Sequence, residues 1–286
     1  MINTSQEEVG PAQQQKILLL VAYWGSAYCG MVRQENGRTV AGELEKAIAQ
    51  VDPAAGRIYA SSRTDAGVHA NRQPVSFLTH KPGINMRGWI LALAPLLPPD
   101  ISITYAARVP ESFDPRRAPL WKRYEYQLLA EPVSHAHYHQ RAWHVRYALN
   151  LERMQHAAQA LIGTHDFGAF RSSHDTRDET IRTLSQVEIR RHSQNPQLIK
   201  IKVQGDRFMH NMVRIICGSL VDIGRGKLEP EVFSRAFASQ DRRDLGMTAP
   251  AHGLYLDHVE LREWGEEGWP RLPQEETDSN QSKREL

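Results

Sequence analysis

The sequence is poor in cysteine and has no long apolar run. Its 286 residues include only Cys29 and Cys217, which lie far apart and form no Cys-x-x-Cys pair. This argues against a disulfide framework and against a thiolate zinc site. The longest apolar run, Ile17 to Tyr23, is too short to cross a bilayer, so no membrane partner is expected.

Phosphate-binding loops and targeting signals are also missing. The sequence contains no glycine-rich loop of the P-loop or Rossmann type, and no cofactor is expected. Residues 1–15 are polar and lack the basic and apolar regions of a signal peptide. We therefore predict a disordered N-terminus and a cytoplasmic location.

The charged residues are distributed unevenly along the chain. The formal net charge of +2 divides into −4 for the tail from Glu263 onward, with seven acidic and three basic residues, and +6 for the body before it. A basic body suits a polyanionic partner. The tail, residues 263–286, is rich in Glu, Gln, Ser and Pro, so it is predicted to be disordered.

Hydrophobic periodicity predicts the element order β-α-β-β-α-β twice. The first half, residues 16–114, has predicted strands at 16–24, 57–60, 73–78 and 101–105, with helices that begin after Thr39 and Asn85. The second half, residues 115–262, has predicted strands at 120–130, 181–190, 198–203 and 254–259, main helices at 150–161 and 208–223, and an added helix at 231–238. This order predicts an α+β protein of two ferredoxin-like units, joined in the loop 110–119.

The stretch Ser61 to Ala70 lies between two predicted strands and holds one carboxylate, Asp65. Its residue types alone also fit a structural turn, because Asp and Thr bond nearby backbone and Gly67 tolerates a positive φ. The string Arg-Thr-Asp-Ala-Gly-Val-His at 63–69, however, resembles the signature of the TruA family of tRNA pseudouridine synthases. The resemblance implies that Asp65 is the catalytic residue and that Arg63 holds the target base out of its stack.

Two further strings carry the resemblance. Arg-Tyr-x-Tyr at 123–126 is similar to a family motif whose first tyrosine, here Tyr124, stacks on the flipped uracil; without the resemblance, this tyrosine would be a packing residue. Phe-x-x-x-Met-Val-Arg at 208–214 is similar to the family helix whose arginine, here Arg214, pairs with the catalytic aspartate. His210 and Arg214 are four residues apart and would share one face of that helix.

The sequence departs from the family pattern at a few positions. Ser62 stands where the family usually has glycine, and Trp24 where it has aspartate. Met31 and Val32 replace Trp-Gln, and the segment 93–97 differs as well. The change at Ser62 bears only on the local backbone angles, whereas the other departures lie outside the catalytic strings and bear on which RNA is bound more than on the reaction.

The resemblance implies a fold of two ferredoxin-like halves that share a largely antiparallel sheet, with helices behind and a basic cleft in front. It implies a homodimer that isomerises uridine to pseudouridine in the tRNA anticodon stem-loop, at positions 38–40, without a cofactor. Charge, position and the motifs suggest these RNA contacts: Arg108, Arg116, Arg117, Lys122, Arg171, Arg207 and His210.

Several alternatives stay open. Asp65 could attack C1′, stabilise an oxocarbenium-like centre or abstract a sugar proton. The chain could act on another RNA, or be an RNA-binding module without catalysis. His135, His137 and His139 alternate, so on a strand they would share a face and could ligate a metal; their loop-like surroundings favour no metal site.

Overall fold

The computed structural model describes residues 14–35, 37–172, 175 and 178–262. Most of the predicted N-terminal segment 1–15, residues 1–13, and the whole predicted tail 263–286 lie outside these described residues. Within the described residues, no helix is both long and apolar enough to cross a membrane.

The first part of the chain contains four strands and two helices. They follow in the order β1 (Gln15–Tyr23), α1 (Val40–Val51), β2 (Tyr59–Ala60), β3 (His69–Thr79), α2 (Met86–Leu93) and β4 (Ile101–Val109). The side chains of Thr39 and Asn85 cap the two helices by accepting backbone N–H groups of Gly42 and Gly88. The strands lie in the order β4-β1-β3-β2, which is that of a ferredoxin-like unit.

The second part repeats this arrangement with additions. It contains β5 (Pro119–Ala130), β6 (Trp143–Val145), α3 (Leu151–Ala158), β7 (Gly163–Asp166), β8 (Ile181–Arg191), β9 (Leu198–Gly205), α4 (Met212–Gly224), α5 (Val232–Ser239) and β10 (Leu254–Leu261). Here the order β10-β5-β9-β8 matches that of the first part strand for strand. The short strands β6 and β7 were not predicted, because three or four residues carry too little periodicity.

All ten strands form one mostly antiparallel sheet, which confirms the predicted α+β class. One apolar core packs α1 and α2 against β1, β3, β4 and β10. A second core packs α3, α4 and α5 against β5, β8 and β9. Tyr124 on β5 contacts both cores. The domain boundary at residues 114 and 115 stays a prediction.

The two parts of the sheet meet where β3 and β10 run parallel, with His69 opposite Tyr255 and Ala70 opposite Leu256. The His69 ring is buried and lies 4.6 Å from the Tyr255 ring. Its Nδ1 accepts the Gly25 N–H at 2.9 Å, so Nε2 carries the proton and donates to the His252 carbonyl at 3.0 Å. A neutral imidazole therefore links the segment just after β1 to the segment just before β10.

We predict that His69 makes the folded state sensitive to acid. Burial lowers the pKa of His69 to about 4, below its ordinary value, so its contribution is complete above about pH 6.5 and is lost as the pH falls towards 4. At pH 5 this side chain should cost about 2 kcal/mol of unfolding free energy. Urea unfolding of the wild type and His69→Gln at pH 7 and pH 5 measures this, since glutamine does not titrate. Equal pH dependence in the two proteins would contradict the assignment.

Candidate active site

The loop that carries Asp65 runs from β2 to β3 and is fixed at several points. The Thr64 carbonyl accepts the Met31 N–H at 3.1 Å, and the Thr64 hydroxyl bonds the buried Tyr23 hydroxyl at 2.7 Å. The Val68 N–H donates to the Asp65 carbonyl at 3.1 Å, which closes a tight turn. The aspartate is therefore held by its backbone, and its side chain is 30% exposed.

Two glycines in the segment after β1 allow that segment to pack closely against this loop. A Cβ at Gly25 would lie 1.9 Å from the Val68 carbonyl oxygen, and one at Gly30 would lie 2.6 Å from that of Thr64. Gly30 also has a φ of +103°, a conformation that other residues rarely adopt. The loop thus packs backbone to backbone against residues some 40 positions earlier in the sequence.

Two basic side chains face the Asp65 carboxylate. Arg214 Nη1 lies 3.5 Å from Oδ2, and His210 Nε2 lies 3.5 Å from Oδ1. Arg214 is anchored from behind, since its Nε donates to the Ala249 carbonyl and its Nη1 to Asn211 Oδ1, both at 2.7 Å. The predicted proximity of Arg214 and Asp65 is present, but the two short hydrogen bonds of this guanidinium go to Ala249 and Asn211, and the carboxylate lies farther away at 3.5 Å.

The helix that carries Arg214 begins later than predicted. The sequence pattern placed its start at Phe208, whereas α4 begins at Met212, after a left-handed Asn211 with a φ of 64°. His210 therefore lies in the turn before the helix, and the shared helix face predicted for it was wrong. The turn itself brings His210 to Asp65. The sequence signal for this later start was the asparagine directly before the apolar run, because asparagine tolerates a left-handed conformation.

Asp65 lies in a cavity of about 640 Å³. Its lining includes Arg63, Asp65, Tyr124, Phe208, His210 and Arg214. Tyr124 is on the same face of β5 as Tyr126, and its ring meets the edge of Phe208 with centroids 5.0 Å apart. Burial raises the pKa of Tyr124 to about 12; a hydrogen bond with Ser62 acts in the opposite direction, and the charge of Asp65 adds to the rise.

A half-buried lysine on the cavity wall was not recognised as part of the site from sequence. Lys122 Nζ donates to the Ser61 carbonyl and to Ser62 Oγ, both at 2.9 Å. Burial lowers the pKa of Lys122 to about 8. From the sequence, Lys122 was predicted only as one of several RNA contacts. A sequence pattern does not reveal that a charged side chain points inward.

Two of the other predicted substrate contacts, Arg63 and Arg116, lie in this cavity or next to it. Arg63 lines both the cavity and a neighbouring groove of about 680 Å³, which Arg116 also lines. Arg116 pairs with Asp114 and lies over the Tyr59 ring. Arg171 precedes Ser172, whose N–H donates to the His210 carbonyl at 3.1 Å. The structure thus gathers Arg63, Tyr124, His210 and Arg214 around Asp65 and places Arg116 in the adjoining groove.

The three alternating histidines do not share a strand. His135, His137 and His139 are exposed and lie at a short 3₁₀ turn, 136–138, with His135 3.3 Å from Glu131. Within the described residues, no group of three or more His, Cys, Asp or Glu side chains is placed to hold a metal ion.

Comparison with known proteins gives a consistent result. A family model described as tRNA pseudouridine synthase matches residues 157–261. The tRNA pseudouridine synthase A of Geotalea daltonii is 39% identical over 243 residues, 85% of this chain and 98% of the relative. That of Acetivibrio thermocellus is 37% identical over 243 residues, with the same coverage. That of Halalkalibacterium halodurans is 39% identical over 240 residues, 84% of this chain and 90% of the relative. The chain belongs to the tRNA pseudouridine synthase A family.

Proposed function

We propose that this protein isomerises uridine to pseudouridine in tRNA and that Asp65 carries the reaction. The observation on which this rests is the placing of the Asp65 carboxylate beside Arg214 and His210, in a cavity that also contains the Tyr124 ring. The isomerisation breaks the N1–C1′ bond of uridine, turns the uracil and forms the C5–C1′ bond. It consumes no redox equivalent and no group donor.

A uridine inside a helical stem has to leave its stack before it can reach Asp65. The cavity volume of about 640 Å³ is in the range of pockets that take a compound of nucleoside size. Tyr124 supplies an aromatic face for the base, and Arg63 lies where the cavity opens to the neighbouring groove. We assign base stacking to Tyr124 and bracing of the vacated stack to Arg63.

The guanidinium of Arg214 lies 3.5 Å from the Asp65 carboxylate and can pair with it. Its anchoring to Ala249 and Asn211 keeps it in place while the substrate enters. An anionic carboxylate suits each of the three roles at the ribose: attack on C1′, stabilisation of a cationic C1′ centre, and abstraction of a sugar proton. His210 Nε2 lies 3.5 Å from the second carboxylate oxygen and can donate a hydrogen bond to it.

The proposed substrate is the anticodon stem-loop, and the proposed assembly is a homodimer in the cytoplasm. Both follow the resemblance to the family, and the names of the relatives support tRNA as their substrate. RNA contacts by Arg116, Arg171 and His210 belong to the same proposal. Their positive or hydrogen-bonding side chains suit recognition by backbone shape rather than by base sequence.

We predict that Asp65→Asn abolishes isomerisation but not RNA binding. Asparagine keeps the size of the side chain and loses its negative charge, so it can act neither as a nucleophile nor as a base. Release of tritium from C5-labelled uridine in tRNA should fall below detection, while tRNA affinity stays within about threefold, because binding is dominated by phosphate contacts.

Asp241→Asn is the matched control, since Asp241 accepts from Arg243 in a surface turn; it should keep full activity. Thermal melts of both variants should match the wild type within the shift expected for about 0.5 kcal/mol. A normal rate for Asp65→Asn would mean that Asp65 has only a structural role in the turn, and it would overturn the proposed function.

We predict that the ring of Tyr124 matters more than its hydroxyl. Tyr124→Leu removes the stacking surface and should lower the single-turnover rate by about fivefold to 150-fold, because base–aromatic stacking contributes about 1–3 kcal/mol. Tyr124→Phe keeps the ring and should lose at most about tenfold. Full activity of the Leu variant would make Tyr124 a packing residue.

We predict that pseudouridine forms in the anticodon stem-loop and nowhere else in the tRNA. Chemical mapping of pseudouridine in total RNA, from cells with and without the gene, tests this directly. Loss of sites in the anticodon stem-loop is the expected result. Loss of sites in another RNA would redirect the assignment to a different substrate, and an unchanged map would favour an RNA-binding module without catalysis.

A further inference from the structure

The groove next to the cavity contains an exposed aromatic ring, that of Tyr59. This residue lies on the two-residue strand β2, which pairs with β3. Ile58 and Ala60, on either side of it, pack against the apolar core that contains α1 and α2. Because side chains alternate along an extended chain, the side chain between them points to the opposite face. Tyr59 is accordingly 45% exposed.

The Arg116 guanidinium lies over this ring and is itself held in place. Its central carbon is 5.2 Å from the centroid of the Tyr59 ring. Arg116 Nε donates to Asp114 Oδ1 at 2.9 Å, and Nη2 donates to Asp114 Oδ2 at 2.7 Å. This fork fixes the guanidinium plane without using Nη1, and the Arg116 side chain stays 58% exposed. Aromatic rings and guanidinium planes are the surfaces on which proteins stack unpaired RNA bases.

The platform formed by Tyr59 and Arg116 is connected to the cavity that contains Asp65. Both residues line the groove of about 680 Å³, and Arg63 lines this groove as well as the cavity. Tyr59 precedes Arg63 by four residues, so their Cα atoms lie at most about 14 Å apart. A stacked strand advances about 3.4 Å per nucleotide. A base on the platform is therefore within about four nucleotides of one that enters the cavity.

The charge of the groove suits a nucleic-acid strand. Its charged lining has an excess of arginine over glutamate: Arg33, Arg57, Arg63, Arg116, Glu35 and Glu45. Glu45 is engaged within the protein, because it pairs with Arg33 at 3.5 Å and accepts the Ile58 N–H at 3.3 Å. Arg57 and Arg63 are exposed. The excess of positive charge favours the phosphates of a strand that passes from the cavity to the platform.

We propose that the Tyr59–Arg116 platform is a second nucleotide subsite, which stacks an unpaired base of the RNA strand while the target uridine occupies the cavity. The ligand is a single-stranded nucleotide close to the target, of the kind that the loop of a stem-loop supplies. The proposal rests on the proposed function, since the cavity must take a uridine of RNA. The platform binds and orients the strand and takes no part in bond making.

The affinity of the full-length protein for an anticodon stem-loop RNA, measured at constant salt, tests the platform. Tyr59→Leu removes the ring and should weaken binding by about fivefold to 150-fold, while the single-turnover rate at saturating enzyme stays within about twofold. Tyr59→Phe keeps the ring and should bind within about twofold of the wild type. Because the ring carries no charge, the salt dependence of affinity should be the same for Tyr59→Leu and the wild type.

RNAs that each lack one base identify the stacked nucleotide. Unpaired nucleotides within about four positions of the target are replaced one at a time by abasic nucleotides, and each RNA is bound to the wild type and to Tyr59→Leu. At one position Tyr59→Leu should weaken binding by less than about twofold, because the base that the ring contacts is already gone. At the other positions the substitution should keep its full effect.

Tyr147→Leu is the matched control. Tyr147 is 58% exposed and has the central carbon of the Arg225 guanidinium 5.5 Å from its ring centroid, so it forms the same kind of pair as the platform. Arg225 directly follows α4, whereas Arg214 lies in the first turn of that helix. The control pair is therefore at the opposite end of α4 from the cavity, and its removal should change RNA affinity by less than about twofold.

The outcomes separate the platform from the function on which it rests. Isomerisation by the wild type together with unchanged RNA affinity of Tyr59→Leu would overturn the platform alone. An equal loss for Tyr59→Leu on every abasic RNA would also overturn it, because the ring would then act through the fold and not through a base. Absence of isomerisation by the wild type would overturn the proposed function, and with it the platform as a substrate subsite.

Discussion

The site depends on a carboxylate on one loop being matched by a guanidinium on a distant helix. Asp65 and Arg214 are brought within 3.5 Å of each other although one lies on the loop before β3 and the other on α4. A charge of this kind is stabilised only if its partner is held in place, and Arg214 is held by Ala249 and Asn211. The position of Asp65 relative to Arg214 therefore depends on three segments together: the loop before β3, the first turn of α4 and the segment before β10.

The sequence predicted the elements with strong periodicity and the residues within specific strings. The β-α-β-β-α-β order, the helix caps at Thr39, Asn85 and Asn150, and the α+β class are present in the structure. The short strands β6 and β7 and the late start of α4 were not predicted, because a few residues, or one left-handed asparagine, carry little periodic signal. The inward direction of Lys122 was also invisible, since burial of a charged side chain depends on contacts with a loop 60 residues away.

The positions that depart from the family pattern have physical accounts in this structure. Trp24 is 41% exposed and has the Arg141 guanidinium 4.4 Å from its ring centre, with the His69 ring against its edge. Met31 is buried, and its N–H holds Thr64 in the loop that carries Asp65. Val32, in contrast, is exposed and lines the groove shared by Arg63 and Arg116. Met31 therefore supports the loop that carries Asp65, whereas the adjacent Val32 contributes to the neighbouring groove.

The position of β10 constrains the order in which the molecule can be completed during synthesis. This last strand lies between β3 and β5, and the residues just before it anchor Arg214. A chain still emerging from the ribosome can pair β1 with β3 and β4, and can pair β9 with β5 and β8. Until residues 254–261 are released, however, parts of the edges of β3 and β5 stay unpaired. Assembly of the surroundings of Asp65 is thus tied to the release of the segment 249–261 rather than to the appearance of Asp65.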